Sequence, residues 1–277
     1  MNPVDFTGGP VLEILGAALF VVALWLALRP ERNVPPLLPL LPPWRTSWIN
    51  FGLWAWVIVF VTSLTQLEFS GWAHQFPQDS LPQQVVTMLA FEVPLVLTQL
   101  GLLRFGRGSS PAPLDTDYMR TGPAVWAGFT DFLRGLPLIY LTVLLWQGFL
   151  EWLKISDPTF ETPIQAPVQA LAVGGNPWLV TVFALMAVTL VPLNEELLFR
   201  GALYRFVKGF LGRRGALVVV SFLFALVHGS VLQFLPLLLV GAFLIRTYER
   251  TGRIIAPMIF HACFNGLNVA ILLLWPT

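Results

Sequence analysis

Apolar residues arrive along this chain in long blocks, each interrupted by a short polar or proline-bearing stretch. A helix needs about 20 mostly apolar residues to cross a bilayer. Blocks of that kind run over 10–28, 46–66, 85–103, 136–153, 178–200, 216–229, 231–245 and 255–275. The pattern predicts an all-α polytopic membrane protein of about eight transmembrane helices, with 1–277 as a single integral membrane domain. The sixth and seventh blocks are short. Gly229 and Ser230 between them predict a tight turn and a helical hairpin that tilts or ends inside the bilayer. Pro43, Pro82, Pro123, Pro158 and Pro177 punctuate the connections, as helix breakers do. Residues 105–122 read as a flexible loop, and 123–135 as an interfacial helix ahead of the fourth span. No internal repeat is visible.

Composition strengthens the membrane reading. Hydrophobic residues make up 56% of the chain and charged ones only 11%, against about 25% charged in soluble domains. A net charge of +1 gives no general attraction to nucleic acid. A lone cysteine, Cys263, excludes an intrachain disulfide and a multi-cysteine zinc site. The arginine bias, with only Lys154 and Lys208 as lysines, hints at a GC-rich bacterial genome. Asp5 is the only charge before Pro10, so the first block lacks the basic start of a signal peptide and is expected to be a retained helix.

Basic residues collect in cytoplasmic loops. With the first residues outside, Arg29, Arg32 and Arg45 fall inside, as do the clusters 104–134, 200–214 and 246–253. Fifteen of the sixteen basic residues then lie on the inner side, leaving only Lys154 outside. Glu68, Asp79, Glu151, Asp157 and Glu161 fall in outer loops. The expected location is the bacterial inner membrane.

Against that apolar background, the stretch LVPLNEELLFRGALY (190–204) places Glu195, Glu196 and Arg200 inside a predicted span. An unpaired charge in hydrocarbon costs several kcal/mol or is neutralised. Two of the three histidines also lie in predicted spans, His228 on the sixth and His261 on the eighth, where Asn265 follows. Counting about 1.5 Å per residue, Glu195 lies about 15 Å from Arg205, His261 about 12 Å from Arg253 and His228 about 21 Å from Arg214. Three helices therefore bring an acid and two imidazoles to one layer reachable from the cytoplasm. Each residue alone has a plain structural reading: a histidine that packs helices, a glutamate–arginine pair that anchors one. Their convergence on one layer argues for a site.

Helical spacing then divides the roles. Glu196 and Arg200 are four apart and suited to a salt bridge. Glu195 is rotated by about 100° and can face a cavity. His261 and Asn265 project together, and Phe224 can buttress His228 one turn on. Glu13 and Glu92, also in predicted spans, read as structural pairs or a polar cavity wall, and Cys263 as a small buried thiol. Asp131 is expected to face the inner surface.

Glu195-Glu196-x-x-x-Arg200, Phe224-x-x-x-His228 and His261-x-x-x-Asn265, in that order, resemble the CAAX prenyl protease type II family, also called CPBP, Rce1-like or Abi intramembrane endopeptidases. The resemblance covers 190–266, within a catalytic core expected over 178–275. Motifs of other intramembrane proteases, HExxH or GxGD, are absent. The resemblance implies hydrolysis of a peptide bond near the C-terminus of a membrane-anchored protein or peptide, in a cavity open to the cytoplasm. It makes Glu195 the general base with help from His228, His261 and Asn265 the oxyanion donors, and Glu196 and Arg200 structural. Oxyanion donors gain strength where water is excluded.

No cofactor is favoured. If zinc is bound, Glu195, His228 and His261 would hold it; the metal-free version is preferred because a ligating base would do two jobs and Asn265 is a poor zinc ligand. The relatives suggest sorting-tail processing or bacteriocin immunity. The alternative is a non-enzymatic membrane transporter, immunity or scaffold protein with a polar core, since intramembrane acids and histidines also make proton relays.

Overall fold

The computed structural model describes residues 10–29, 41–105, 114–116, 118–156 and 166–274, and only the backbone at 10–15, 104–105, 155–156 and 167. Among the described residues every regular element is helical. In order these are α1 (Pro10–Leu28), α2 (Trp48–Ala73), α3 (Leu81–Phe105), α4 (Thr121–Ser156), α5 (Ala166–Val173), α6 (Pro177–Leu185), π1 (Met186–Leu190), α7 (Val191–Glu195), π2 (Glu196–Tyr204), α8 (Arg205–Val227), α9 (Phe234–Thr251) and α10 (Ile255–Leu274). Five helical runs are long and apolar enough to cross a membrane: Trp48–Ala73, Leu81–Leu103, Thr121–Lys154, Pro177–Val227 and Ile255–Leu274. The chain is a multi-pass membrane protein. Large apolar side chains such as Trp56, Val59, Leu67 and Trp72 stand exposed along α2, the surface expected where lipid is the solvent.

Capping follows local chemistry. Ser47 accepts from the Asn50 N–H at the start of α2, and Asn176 accepts from Trp178 ahead of Pro177 at the first position of α6. Lipid tails are as apolar as leucine, so helices associate through close packing rather than escape from water. Gly241 shows this: a Cβ there would meet the Ser221 Cα at 3.1 Å, so a larger residue would push α9 a few tenths of an ångström from α8. The main core joins Phe132, Leu136 and Ile139 of α4 to Phe224 of α8, Val240 and Leu244 of α9, and Phe260 of α10.

Four expectations change. The expected interfacial helix 123–135 and the fourth span form one helix, α4, which carries Pro137 inside it. Residues 201–215, expected between two spans because of their charges, are helical except at Gly212, whose φ of 67° breaks the run. Two of their charges are buried, with Arg205 Nε donating to Pro42 O at 2.9 Å and Lys208 Nζ reaching Leu41 O and Glu249, while Arg213 is half-buried and Arg214 exposed. The turn after α8 is longer than Gly229 and Ser230, extending to Gln233. Residues 114–116 of the expected flexible loop are pinned, with Thr116 N donating to Gly252 O and Ile254 N to Asp115; 106–113 and 117 lie outside the described residues. So do Arg32, Asp157, Pro158 and Glu161, and the side chain of Glu13.

The 51 residues of Pro177–Val227 would extend about 76 Å as a straight helix. Yet His228, 33 residues past Glu195 and thus about 50 Å away on a straight path, has its Nε2 3.8 Å from Glu195 Oε1. The chain reverses between them, and Gly212 is the residue at which helical geometry fails.

Candidate active site

Pro192 shapes the local backbone. In π1 the Val191 N–H bonds to Met186 O, one residue beyond the α-helical partner. In that register the Ala187 carbonyl would pair with residue 192, which is proline and has no N–H. Asn265 of α10 supplies the donor, Nδ2 lying 2.9 Å from Ala187 O. A second π turn, π2, begins at Glu196. Glu195 and Glu196 thus sit where the helix changes register, and such turns occur often at functional sites.

Glu196 and Arg200 are completely buried and paired at 2.9 Å. The Arg200 guanidinium lies 4.3 Å from the centre of the Phe224 ring. His261 Nδ1 lies 2.8 Å from the same Glu196 oxygen, Oε1. Glu195 differs from its neighbour: its side chain is 22% exposed, as is that of His228. Its Oε1 is 3.8 Å from His228 Nε2 and its Oε2 3.7 Å from His261 Nε2. Both separations exceed a hydrogen bond, and Oε2 is buried without a hydrogen-bond partner among the described residues.

The end of α8 fixes His228. Its own backbone N–H turns to Leu226 O, and Gly229 follows with φ of 61°. The Phe224 carbonyl, one of the last four in the helix, therefore needs another donor. His228 Nδ1 provides it at 2.6 Å. A carbonyl only accepts, so Nδ1 carries the hydrogen and Nε2 of the neutral ring offers its lone pair toward Glu195. The Phe224 ring meets both imidazoles, with centroids 4.8 Å from His228 and 5.9 Å from His261.

Residues 177–267 match the family model described as Type II CAAX prenyl endopeptidase Rce1-like. This stretch is an Rce1-like domain. The match implies a CAAX-type intramembrane protease with a protein substrate. No curated protein and no solved structure matched the chain.

The Rce1-like domain has a partner outside the matched residues. Asn194, fully buried, donates Nδ2 to the Glu92 carbonyl at 2.8 Å and to its carboxylate at 2.6 Å. Gln99 Nε2 donates back to Asn194 Oδ1 at 3.1 Å. Glu92 on α3 thus forms a polar wall behind Glu195. The sequence reading reached Glu92 but missed Asn194 and Gln99. A signal existed: Glu92 and Gln99 are seven apart, on one helix face, and Asn194 interrupts an apolar run beside Glu195.

Among the described residues no group of three His, Cys, Asp or Glu side chains is arranged to hold a metal ion. His261 Nδ1 is engaged with Glu196 and His228 Nδ1 with the Phe224 carbonyl, so each imidazole turns its Nε2 toward an oxygen of Glu195.

Proposed function

We propose that the Rce1-like domain is a glutamate-dependent endopeptidase that cleaves near the C-terminus of a membrane-anchored protein. Glu195 takes a proton from water while the water oxygen attacks the scissile carbonyl carbon. His228 Nε2, with its lone pair held toward Glu195, helps orient that water. The carbonyl oxygen becomes an oxyanion, stabilised by a ring N–H of His261 and by an Asn265 N–H. Asn265 has two amide hydrogens, so the bond to Ala187 O leaves one for this task. As the C–N bond breaks, the proton held by Glu195 passes to the leaving amine. Atoms and charge balance without a metal.

One observation carries the reading: the two oxygens of a single partly exposed carboxylate face imidazoles from two other helices, at 3.8 and 3.7 Å. A purely structural glutamate would be expected to close such contacts into hydrogen bonds, as Glu196 does. The cavity is inferred to open to the cytoplasm of a bacterium, because Glu195 and His261 lie toward the arginine-rich ends of their helices, although His228 closes the far end of α8. Pro177–Val227 is inferred to cross twice, since about 76 Å of helix exceeds a hydrocarbon core of about 30 Å. With α1 and α9 counted as crossings, the total is eight. The purified protein should cleave members of a library of membrane-tethered reporters that vary in their C-terminal residues. Uniform failure across the library in several lipids would favour a non-enzymatic polar core.

A further inference from the structure

Asn194 stands one residue before Glu195 and is fully buried. Its side chain makes three hydrogen bonds to a single helix, α3. Nδ2 donates to the Glu92 carbonyl at 2.8 Å and to Glu92 Oε2 at 2.6 Å, while Oδ1 accepts from Gln99 Nε2 at 3.1 Å. Both ends of the amide are thereby engaged. Glu92 and Gln99 are themselves buried, and α3 lies outside the residues that match the family model. The local backbone gives this anchor its consequence. α7, which carries Asn194 and Glu195, is five residues long and lies between π1 and π2. At each π turn the hydrogen-bond register shifts by one residue, so the flanking helices alone do not set the rotation of α7 about its axis. Adjacent side chains on a helix are about 100° apart, so a fixed Asn194 dictates where Glu195 points.

Where two membrane helices need only to adhere, apolar groups of the same shape serve about as well as buried hydrogen bonds. What hydrogen bonds add is direction. We propose that Glu92 and Gln99 are positioning residues for Glu195: acting through Asn194, they make α3 aim that carboxylate between His228 and His261. The inference rests on the reading of Glu195 as the base. It gives the part of the chain ahead of the Rce1-like domain a task in the site without contact with substrate. Glu92 serves Asn194 as an acceptor, and the oxygen of an amide can take that place.

Wild type, Asn194→Leu, Glu92→Leu and Glu92→Gln are purified in detergent. Unfolding temperature is measured on each, with kcat and KM for the tethered reporter that wild type cleaves best. Folded Asn194→Leu should lose about 10- to 100-fold in kcat, with KM unchanged. Glu92→Leu should lose about fivefold in kcat, and Glu92→Gln should keep most of the wild-type value. A second readout needs no catalysis. Glu195→Cys and His228→Cys are combined in a Cys263→Ala background and bridged by a short bifunctional thiol reagent, with the linked peptide followed by mass spectrometry. Adding Asn194→Leu should slow the bridging about fivefold. If Asn194→Leu fails to fold, Glu92→Leu takes its place in both measurements, with the same fivefold losses expected. A wild type that cleaves no reporter would sink the endopeptidase reading, and the bridging rate would then decide the positioning claim alone. Unchanged bridging, wild-type kcat in folded Asn194→Leu, a loss confined to KM, or Glu92→Gln as impaired as Glu92→Leu would overturn the proposal.

Discussion

His261 Nδ1 lies 2.8 Å from Glu196 Oε1, the oxygen that also accepts from Arg200 at 2.9 Å. Glu196 is therefore more than an arginine's partner: it fixes the orientation of His261. With Nδ1 committed, only Nε2 is left to face Glu195.

Removing the Glu196 charge should damage folding and chemistry together. Glu196→Gln leaves the Arg200 guanidinium buried without its counter-charge, and breaking such a pair costs about 3–5 kcal/mol. Thermal unfolding in detergent, followed beside cleavage activity, should show both falling. A variant with normal stability and normal cleavage would remove Glu196 from the account.

The Asn194–Glu92 contact predicts a milder loss. Asn194→Leu removes the donor to a buried carboxylate, costing about 1–3 kcal/mol. Glu92→Gln in the same background should recover part of that stability, because an amide in place of the carboxylate reduces the charge left unsatisfied. A double variant no more stable than Asn194→Leu would mean the two residues are energetically independent.

The helical pattern, the membrane class and the three motifs were legible because each depends on spacing within one element. Glu196 and Arg200 pair four residues apart, as expected from sequence. What was not legible depends on three-dimensional neighbours. The charges of 201–215 read as a connection, yet Lys208 and Tyr204 meet Glu249, about 40 residues onward, inside the bundle. The π1 turn lies where Pro192 removes a donor and Asn265, 78 residues from Ala187, replaces it. The link between Asn194 and Glu92 crosses 102 residues, beyond any local periodicity.

The reversal at Gly212 gives a topology prediction. In a Cys263→Ala background, single cysteines at Arg45, Arg214 and Arg253 should react with a membrane-impermeant maleimide from one side. A cysteine at Glu68 should react from the other. Labelling of Arg214→Cys from the side of Glu68→Cys would contradict two crossings in Pro177–Val227.

With Glu195 as the base and proton carrier no metal is needed, so cleavage should survive exhaustive chelation, and the purified protein should carry no stoichiometric zinc. Zinc at one equivalent, lost together with activity and restored with it, would refute the metal-free mechanism.

The central claim is that Glu195 is the base that activates water, and its isosteric amide tests this most directly. Glu195→Gln and wild type should be compared for cleavage of the same tethered reporter, with unfolding temperature measured on both. The account predicts a rate at least 10²–10⁴-fold lower with stability essentially retained. Cleavage near the wild-type rate by a folded Glu195→Gln protein would contradict it.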